Sequence, residues 1–223
     1  MTLLSPSLER LEAPLANALQ LMENLGCESV HIDTCHNMVL PNFFDLEEVR
    51  VVQIENYRAA ATMHIFQPIS GAPPVLGFLR PKDLVVLHIF PQTTQSTIEA
   101  FLKTNCVFGF RMGLTVDVRA DTESIASYLT ELDTVFVMAI PVATYSLEPD
   151  TQLLLRVEKM RTLINAHNPR CRLGIDGGVN SRTFPGMVRL ADELVVGGFL
   201  FHVDDLVSQW MKLRSIAKGE REG

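Results

Sequence analysis

Near its start the chain reads Leu3-Leu4-Ser5-Pro6-Ser7-Leu8, and this stretch separates the two fold classes that the rest of the sequence would satisfy. Leu3 to Ser5 reads as a short strand running into a turn. An open, doubly wound α/β sheet built for a dinucleotide carries a glycine-rich turn directly after such a strand, because glycine lets the backbone approach a pyrophosphate. Here Ser5-Pro6-Ser7-Leu8 stands in that place. The reading therefore favours a closed barrel over an open sheet.

Outward from this stretch, short apolar and β-branched runs alternate with longer segments of helical period. The candidate strands are Leu3 to Ser5, Ser29 to Thr34, Ala60 to Phe66, Asp83 to Phe90, Gly113 to Asp117, Thr134 to Ile140, Cys171 to Asp176 and Glu193 to Val196. The intervening segments are Leu8 to Leu25, Asp45 to Tyr57, Thr93 to Lys103, Thr122 to Leu129, Asp150 to Ala166, Ser181 to Leu190 and Asp204 to Ala217, most with apolar residues three and four apart. Gln67 to Pro81 is rich in proline and glycine and predicts only a short or broken helix. Strand-helix units repeated through 223 residues fit a single (β/α)8 TIM barrel, one domain spanning 1–223, with no linker to divide it.

Composition narrows the function. With 47% hydrophobic and 20% charged residues the chain is globular in composition. Lys plus Arg number 19 against 26 Asp plus Glu, a net charge of -7, and no basic run is available to neutralise a phosphate backbone, so nucleic acid is not an expected partner. The longest apolar stretches, Leu84 to Phe90 and Val135 to Val142, are too short to span a bilayer, so no membrane association is expected. Met1 to Leu4 has neither a basic region nor an apolar leader, which points to the cytoplasm. Cys27, Cys35, Cys106 and Cys171 lie far apart without CxxC spacing and read as reduced thiols.

Barrel enzymes place their chemistry at the carboxyl ends of the strands. There the sequence has His31-Ile32-Asp33, His64, His88 and Asp176-Gly177-Gly178. His31 and Asp33 share a face of their strand because side chains alternate, and two ionisable groups on a buried face need partners that offset desolvation. A mixed imidazole and carboxylate set suits a transition metal better than calcium or magnesium. Asp176 ahead of two glycines also fits a plain turn, and His167 and His202 read as ordinary hydrogen-bonded histidines.

These residues resemble a known family. His31-Ile32-Asp33-Thr34-Cys35-His36-Asn37-Met38-Val39-Leu40-Pro41-Asn42 is similar to the HxDxMDGxxxPN signature of the ribulose-phosphate 3-epimerases. Pro6-Ser7, Met63-His64, His88, Val137-Met138, Ile175-Asp176-Gly177-Gly178-Val179 and Val196-Gly197-Gly198 follow in the family's order across essentially the whole chain. The resemblance implies that His31, Asp33, His64 and Asp176 bind one divalent metal, which could be zinc, iron, manganese or cobalt. It implies further that Asp33 and Asp176 are the catalytic acid/base pair. Ser7, His64, Met138, Gly177, Gly178, Gly197 and Gly198 would bind the substrate, a small sugar phosphate. The implied reaction is the reversible epimerisation of ribulose 5-phosphate to xylulose 5-phosphate through a metal-stabilised enediolate, with one base on each face of the inverted carbon.

The departures are as specific as the matches. Cys35-His36-Asn37 replaces the family's methionine, acid and glycine, and Phe66 stands where a second pocket methionine is usual. His36 fits either a substrate contact or an exposed loop residue. After the sixth strand the family's glycine-rich NPGFGGQ loop is replaced by Ile140-Pro141-Val142-Ala143-Thr144-Tyr145-Ser146-Leu147, so phosphate recognition falls to the turns at Gly177-Gly178 and Gly197-Gly198. Asp117-Val118 replaces an asparagine-proline pair, and Arg119 beside it reads as solvated rather than as a compensating charge. The runner-up functions are epimerisation of another, possibly unphosphorylated, ketose and a non-catalytic regulatory barrel that keeps the metal site. A related decarboxylating or condensing barrel with a DxKxxD element fits poorly, because Thr34-Cys35-His36 follows Asp33 with no lysine. A homo-oligomer is possible on an apolar helix face or on Gln67 to Pro81.

Overall fold

Parallel pairing dominates the computed structural model, which describes residues 1–11, 13–68, 72–144 and 148–219. Strands β1 (Leu3–Pro6), β2 (Ser29–Cys35), β3 (Phe44–Asp45), β4 (Ala60–Phe66), β5 (Leu84–Ile89), β6 (Arg111–Val116), β7 (Thr134–Met138), β8 (Arg172–Asp176) and β9 (Glu193–Val196) form one sheet. Its order is β1-β9-β8-β7-β6-β5-β4-β2-β3. A parallel bridge from Ser7 to His31 brings the end of β1 beside β2, so the sheet curls back upon itself. Strand β3, two residues paired with Thr34 and Cys35, is an addition at the carboxyl end of β2 that the sequence pattern did not reveal. The other eight strands are those expected from the sequence, with ends shifted by up to two residues.

The helices are α1 (Leu15–Asn24), α2 (Leu46–Val51), α3 (Gln95–Asn105), α4 (Leu153–His167), α5 (Phe184–Leu190), α6 (Gly198–Phe201) and α7 (Leu206–Lys218). The segment expected as one helix from Leu8 to Leu25 is instead a 3-10 turn, Leu8–Leu11, followed by α1. Pro14 is the N-cap of α1, with φ −53° and ψ 139°; this extended conformation precedes the first helical turn, and proline has no N–H to continue a helix through it. Likewise Thr122–Glu131 is wound as 3-10 rather than α-helix. The proline-rich segment from Gln67 to Pro81 forms no helix among its described residues. No helix is long and apolar enough to cross a membrane among the described residues.

Alternation along the strands builds two separate apolar regions. Outward residues such as Ile32, Val85, Leu114, Val137 and Leu173 pack with Leu19, Ile98, Met160 and Phe184 from the surrounding helices. Inward residues Leu84, Val86, Phe136 and Val195 form a second, smaller cluster that fills the barrel. Gly174 makes room for the Phe136 ring: a Cβ there would lie 2.2 Å from the ring. At the amino end of the barrel, Arg80 Nε donates to Asp83 Oδ2 at 2.8 Å and Arg80 Nη2 to Asp83 Oδ1 at 2.7 Å. The fully buried Asp83 also accepts from the backbone of Ala61 and Arg80, tying the ends of β4 and β5 together.

Candidate active site

The inward positions at the carboxyl ends of β2, β4 and β8 bring His31, Asp33, His64 and Asp176 to one point. One ligand atom from each lies within 4.8 Å of all the others. His31 Nε2 and His64 Nδ1 are 3.2 Å apart. Asp33 Oδ1 is 3.5 Å from His31 Nε2 and 3.1 Å from His64 Nδ1. Asp176 Oδ2 stands 3.5 Å and 3.4 Å from the same two nitrogens. A tetrahedral ion with ligands about 2.0–2.2 Å away separates neighbouring donor atoms by roughly 3.3–3.6 Å. These five spacings, 3.1–3.5 Å, overlap that range, and two imidazoles with two carboxylates are a donor set for zinc, iron, manganese or cobalt. The residues present fit a single divalent cation.

Electrostatics at this centre agree with this reading. Burial pushes the His31 imidazole toward neutrality, but the Asp33 and Asp176 charges and the hydrogen bond to Asp33 outweigh it and raise its pKa to about 9. Burial acts on Asp33 in the opposite sense to its partners, and the charge of His31 with its hydrogen bond holds the Asp33 carboxyl well below the usual range. The cluster thus gathers negative charge that a bound cation would offset. Ser7 Oγ donates to Asp33 Oδ2 at 3.1 Å, leaving Oδ1 directed at the centre.

Above this point opens a pocket whose wall includes Ser7, Asp33, Phe66, Met138, Asp176, Gly177, Gly178, Gly197 and Gly198. His31 and His64 lie beneath it, both fully buried. The residues that the family resemblance implies for metal, substrate and acid/base roles are therefore brought together. Gly177 and Gly178 have φ of +85° and +65°, where a side chain would be strained, and a Cβ on Gly177 would press on Ile140 at 2.7 Å. His36 is hydrogen-bonded to the Asn37 amide and does not line the pocket.

Two charged pocket residues were missed by the sequence reading. Glu9 and Arg10 lie on the 3-10 turn after β1 and face the pocket together. Burial first, then the charge of Asp33, raises the Glu9 pKa to about 8 despite the opposing charge of Arg10. Its Oε2 has no hydrogen-bond partner among the described residues. Arg10 Nε is 3.9 Å from Glu9 Oε1, and the Arg10 side chain packs on Gly197, 2.8 Å from where a Cβ would sit. Adjacent opposite charges two and three positions beyond Ser7 were the available signal. In the loop after β7, Pro141 to Thr144 line the pocket, and Ala143 holds a φ of +56°, a conformation that favours glycine. The remaining loop positions considered in the sequence, Tyr145, Ser146 and Leu147, lie outside the described residues.

Behind His64 the polar chain continues. His64 Nε2 is 3.0 Å from His88 Nδ1, and His88 Nε2 is 3.3 Å from Asp117 Oδ2. Asp117 Oδ1 accepts from the backbone N–H of Arg119 at 2.9 Å and from its Nε at 3.2 Å. Arg119 itself is 68% exposed at the side chain and stays outside the pocket, in keeping with the solvated reading.

Residues 3–201 match the model of the Ribulose-phosphate 3 epimerase family. The chain belongs to that family. No curated protein sequence matches it. Among solved structures this epimerase-family chain is similar to 3-hexulose-6-phosphate synthase from Salmonella typhimurium, at 15% identity and a TM-score of 0.67, covering 99% of this chain and 100% of that one. A thiamine phosphate pyrophosphorylase from Pyrococcus furiosus is 14% identical with a TM-score of 0.60, covering 99% of this chain and 97% of that one. KGPDC from Streptococcus mutans is 11% identical with a TM-score of 0.62, each chain covered to 98%. At these identities the neighbours show a shared TIM-barrel-type fold, within which the epimerase-family member carries its own buried His and Asp cluster.

Proposed function

We propose that the protein is a metal-dependent ketose-phosphate 3-epimerase, with ribulose 5-phosphate and xylulose 5-phosphate as its default pair. The observation that carries this reading is the position of Asp33 and Asp176: both reach one metal-type donor cluster, yet both also border the pocket. A bound divalent cation supplies the positive charge that offsets the negative charge developing on the ketone oxygen. Ser7 holds one oxygen of Asp33, which fixes the face that carboxylate presents. Asp33 takes the C3 proton from one side and Asp176 returns one from the other, their roles exchanging with direction. Met138 and Phe66 wall the reacting carbon against water.

The loop after β7 favours a second substrate within the same reaction class. Pro141, Val142 and Ala143 place side chains on the pocket wall, and Glu9 adds an acid, while Arg10 adds a cation. An unphosphorylated ketose fits the acid and a phosphorylated one fits the arginine. The experiment is NMR of ribulose 5-phosphate and of ribulose with protein loaded with zinc, iron, manganese or cobalt. Appearance of the 3-epimer of either sugar, abolished by chelation, supports the proposal. No epimer of either sugar from metal-replete protein favours the non-catalytic barrel instead.

A further inference from the structure

The proton positions along the chain of side chains behind His64 are fixed by counting donors. Asp117 has two oxygens and, ionised, no proton to give. Its Oδ1 is occupied by the two N–H groups of Arg119, so Oδ2 is left to accept from His88 Nε2. A neutral His88 that spends its one proton there has a bare Nδ1, which must accept from His64 Nε2. His64 then has a bare Nδ1, and that is the atom pointing at His31, Asp33 and Asp176.

We propose that Asp117 and His88 are positioning residues that set the tautomer of His64, holding its Nδ1 lone pair toward the centre so that it can ligate a cation. The proposal rests on the metal reading above and deepens it. His64, His88 and Asp117 have fully buried side chains, so no water competes for these bonds. His31 has no counterpart: its Nδ1 is buried without a hydrogen-bond partner among the described residues. The tuning is therefore applied to one imidazole of the pair. Partners of this kind typically contribute a factor of about 10–100 in metal affinity.

Asp117→Asn tests the polarity of the chain with almost no change in shape. The Arg119 backbone N–H requires an acceptor, so the asparagine oxygen stays on that side and its NH2 turns toward His88. Every bond beyond it must then reverse, and His64 Nδ1 gains the proton that blocks ligation. Zinc affinity, measured by chelator competition, is expected to fall about 10-fold or more in Asp117→Asn with the unfolding midpoint retained. In a His88→Phe background the same substitution should cause no further loss, because its effect passes through His88. Long-range 1H–15N NMR of the wild-type protein should show His88 and His64 both protonated at Nε2. Unchanged zinc affinity in Asp117→Asn, additive losses in the double variant, or a His88 proton on Nδ1 would each overturn the assignment. Wild-type protein that binds no zinc, iron, manganese or cobalt would overturn the metal reading and this proposal together; metal binding that ignores Asp117 would overturn this proposal alone.

Discussion

Ser7 Oγ and Asp33 Oδ2 are joined by a 3.1 Å hydrogen bond across the seam where β1 meets β2. The bond makes the closure of the barrel and the aim of the carboxylate proposed as an acid/base group one feature. Losing a hydrogen bond to a charged group costs about 1.5–3 kcal/mol. Ser7→Ala is therefore expected to lower kcat/KM about 10-fold or more while the far-ultraviolet spectrum stays unchanged. Steady-state kinetics on the preferred ketose checks this, and unchanged kcat/KM would contradict the role given to Ser7.

Arg10 packs against Gly197 and lines the pocket beside the glycine turns. Arg10→Leu keeps much of the apolar stem and removes the cation. The expected loss in kcat/KM is about 10–100-fold for ribulose 5-phosphate and under about 3-fold for ribulose, since only the former offers an anion. Equal losses on both sugars would show that Arg10 does not read the phosphate.

How much of this was legible in the sequence depends on distance along the chain. Strand alternation places His31 with Asp33, and the barrel rule places His64, His88 and Asp176 at the same end, whereas the choice of His64 over His88 as a ligand rested on the family resemblance. Glu9 and Arg10 could not be read from pattern, because their aim depends on the Leu8–Leu11 turn being 3-10 and on Pro14 starting α1 afresh. Apolar spacing runs on through Pro14 and masks the break that the proline makes. His88 and Asp117 were noted singly. Their pairing depends on the register of β5 beside β6, in which His88 pairs with Thr115 two residues before Asp117.

The fold should be sensitive to the Arg80–Asp83 pair at the opposite end of the barrel. Arg80→Met leaves Asp83 buried with its charge unpaired. Removing one partner of such a pair costs about 3–5 kcal/mol. Urea unfolding should show a loss near 3 kcal/mol, given that Arg80 is partly exposed, with metal affinity retained in the folded protein. A loss below about 1 kcal/mol would contradict the assignment of this pair as a structural tie.

Thiol chemistry offers a check on burial. Cys106 is exposed while Cys27, Cys35 and Cys171 are buried and unpaired, so a thiol reagent should titrate one cysteine in native protein and four after denaturation. Burial pushes the thiols of Cys27 and Cys171 up from their ordinary value near 9 to about 12. Their protonated forms are thus favoured by folding. Below pH 9 both states hold the proton and stability is unaffected; between about 9 and 12 the unfolded chain releases it first, so stability falls as pH rises. Cys27→Ala should flatten that decline, and an unchanged slope would argue against the buried placement.

The central claim is that Asp33 and Asp176 move a proton at C3 of a ketose held at this metal-type centre. Its most direct test is exchange of the C3 hydrogen of ribulose 5-phosphate, and of ribulose, in deuterated water with metal-replete protein. Deuterium is expected at C3 together with the epimer, with exchange at least about 100-fold lower in Asp33→Asn and in Asp176→Asn. Undiminished exchange in either variant, or no exchange of either sugar by the wild-type protein, would contradict it.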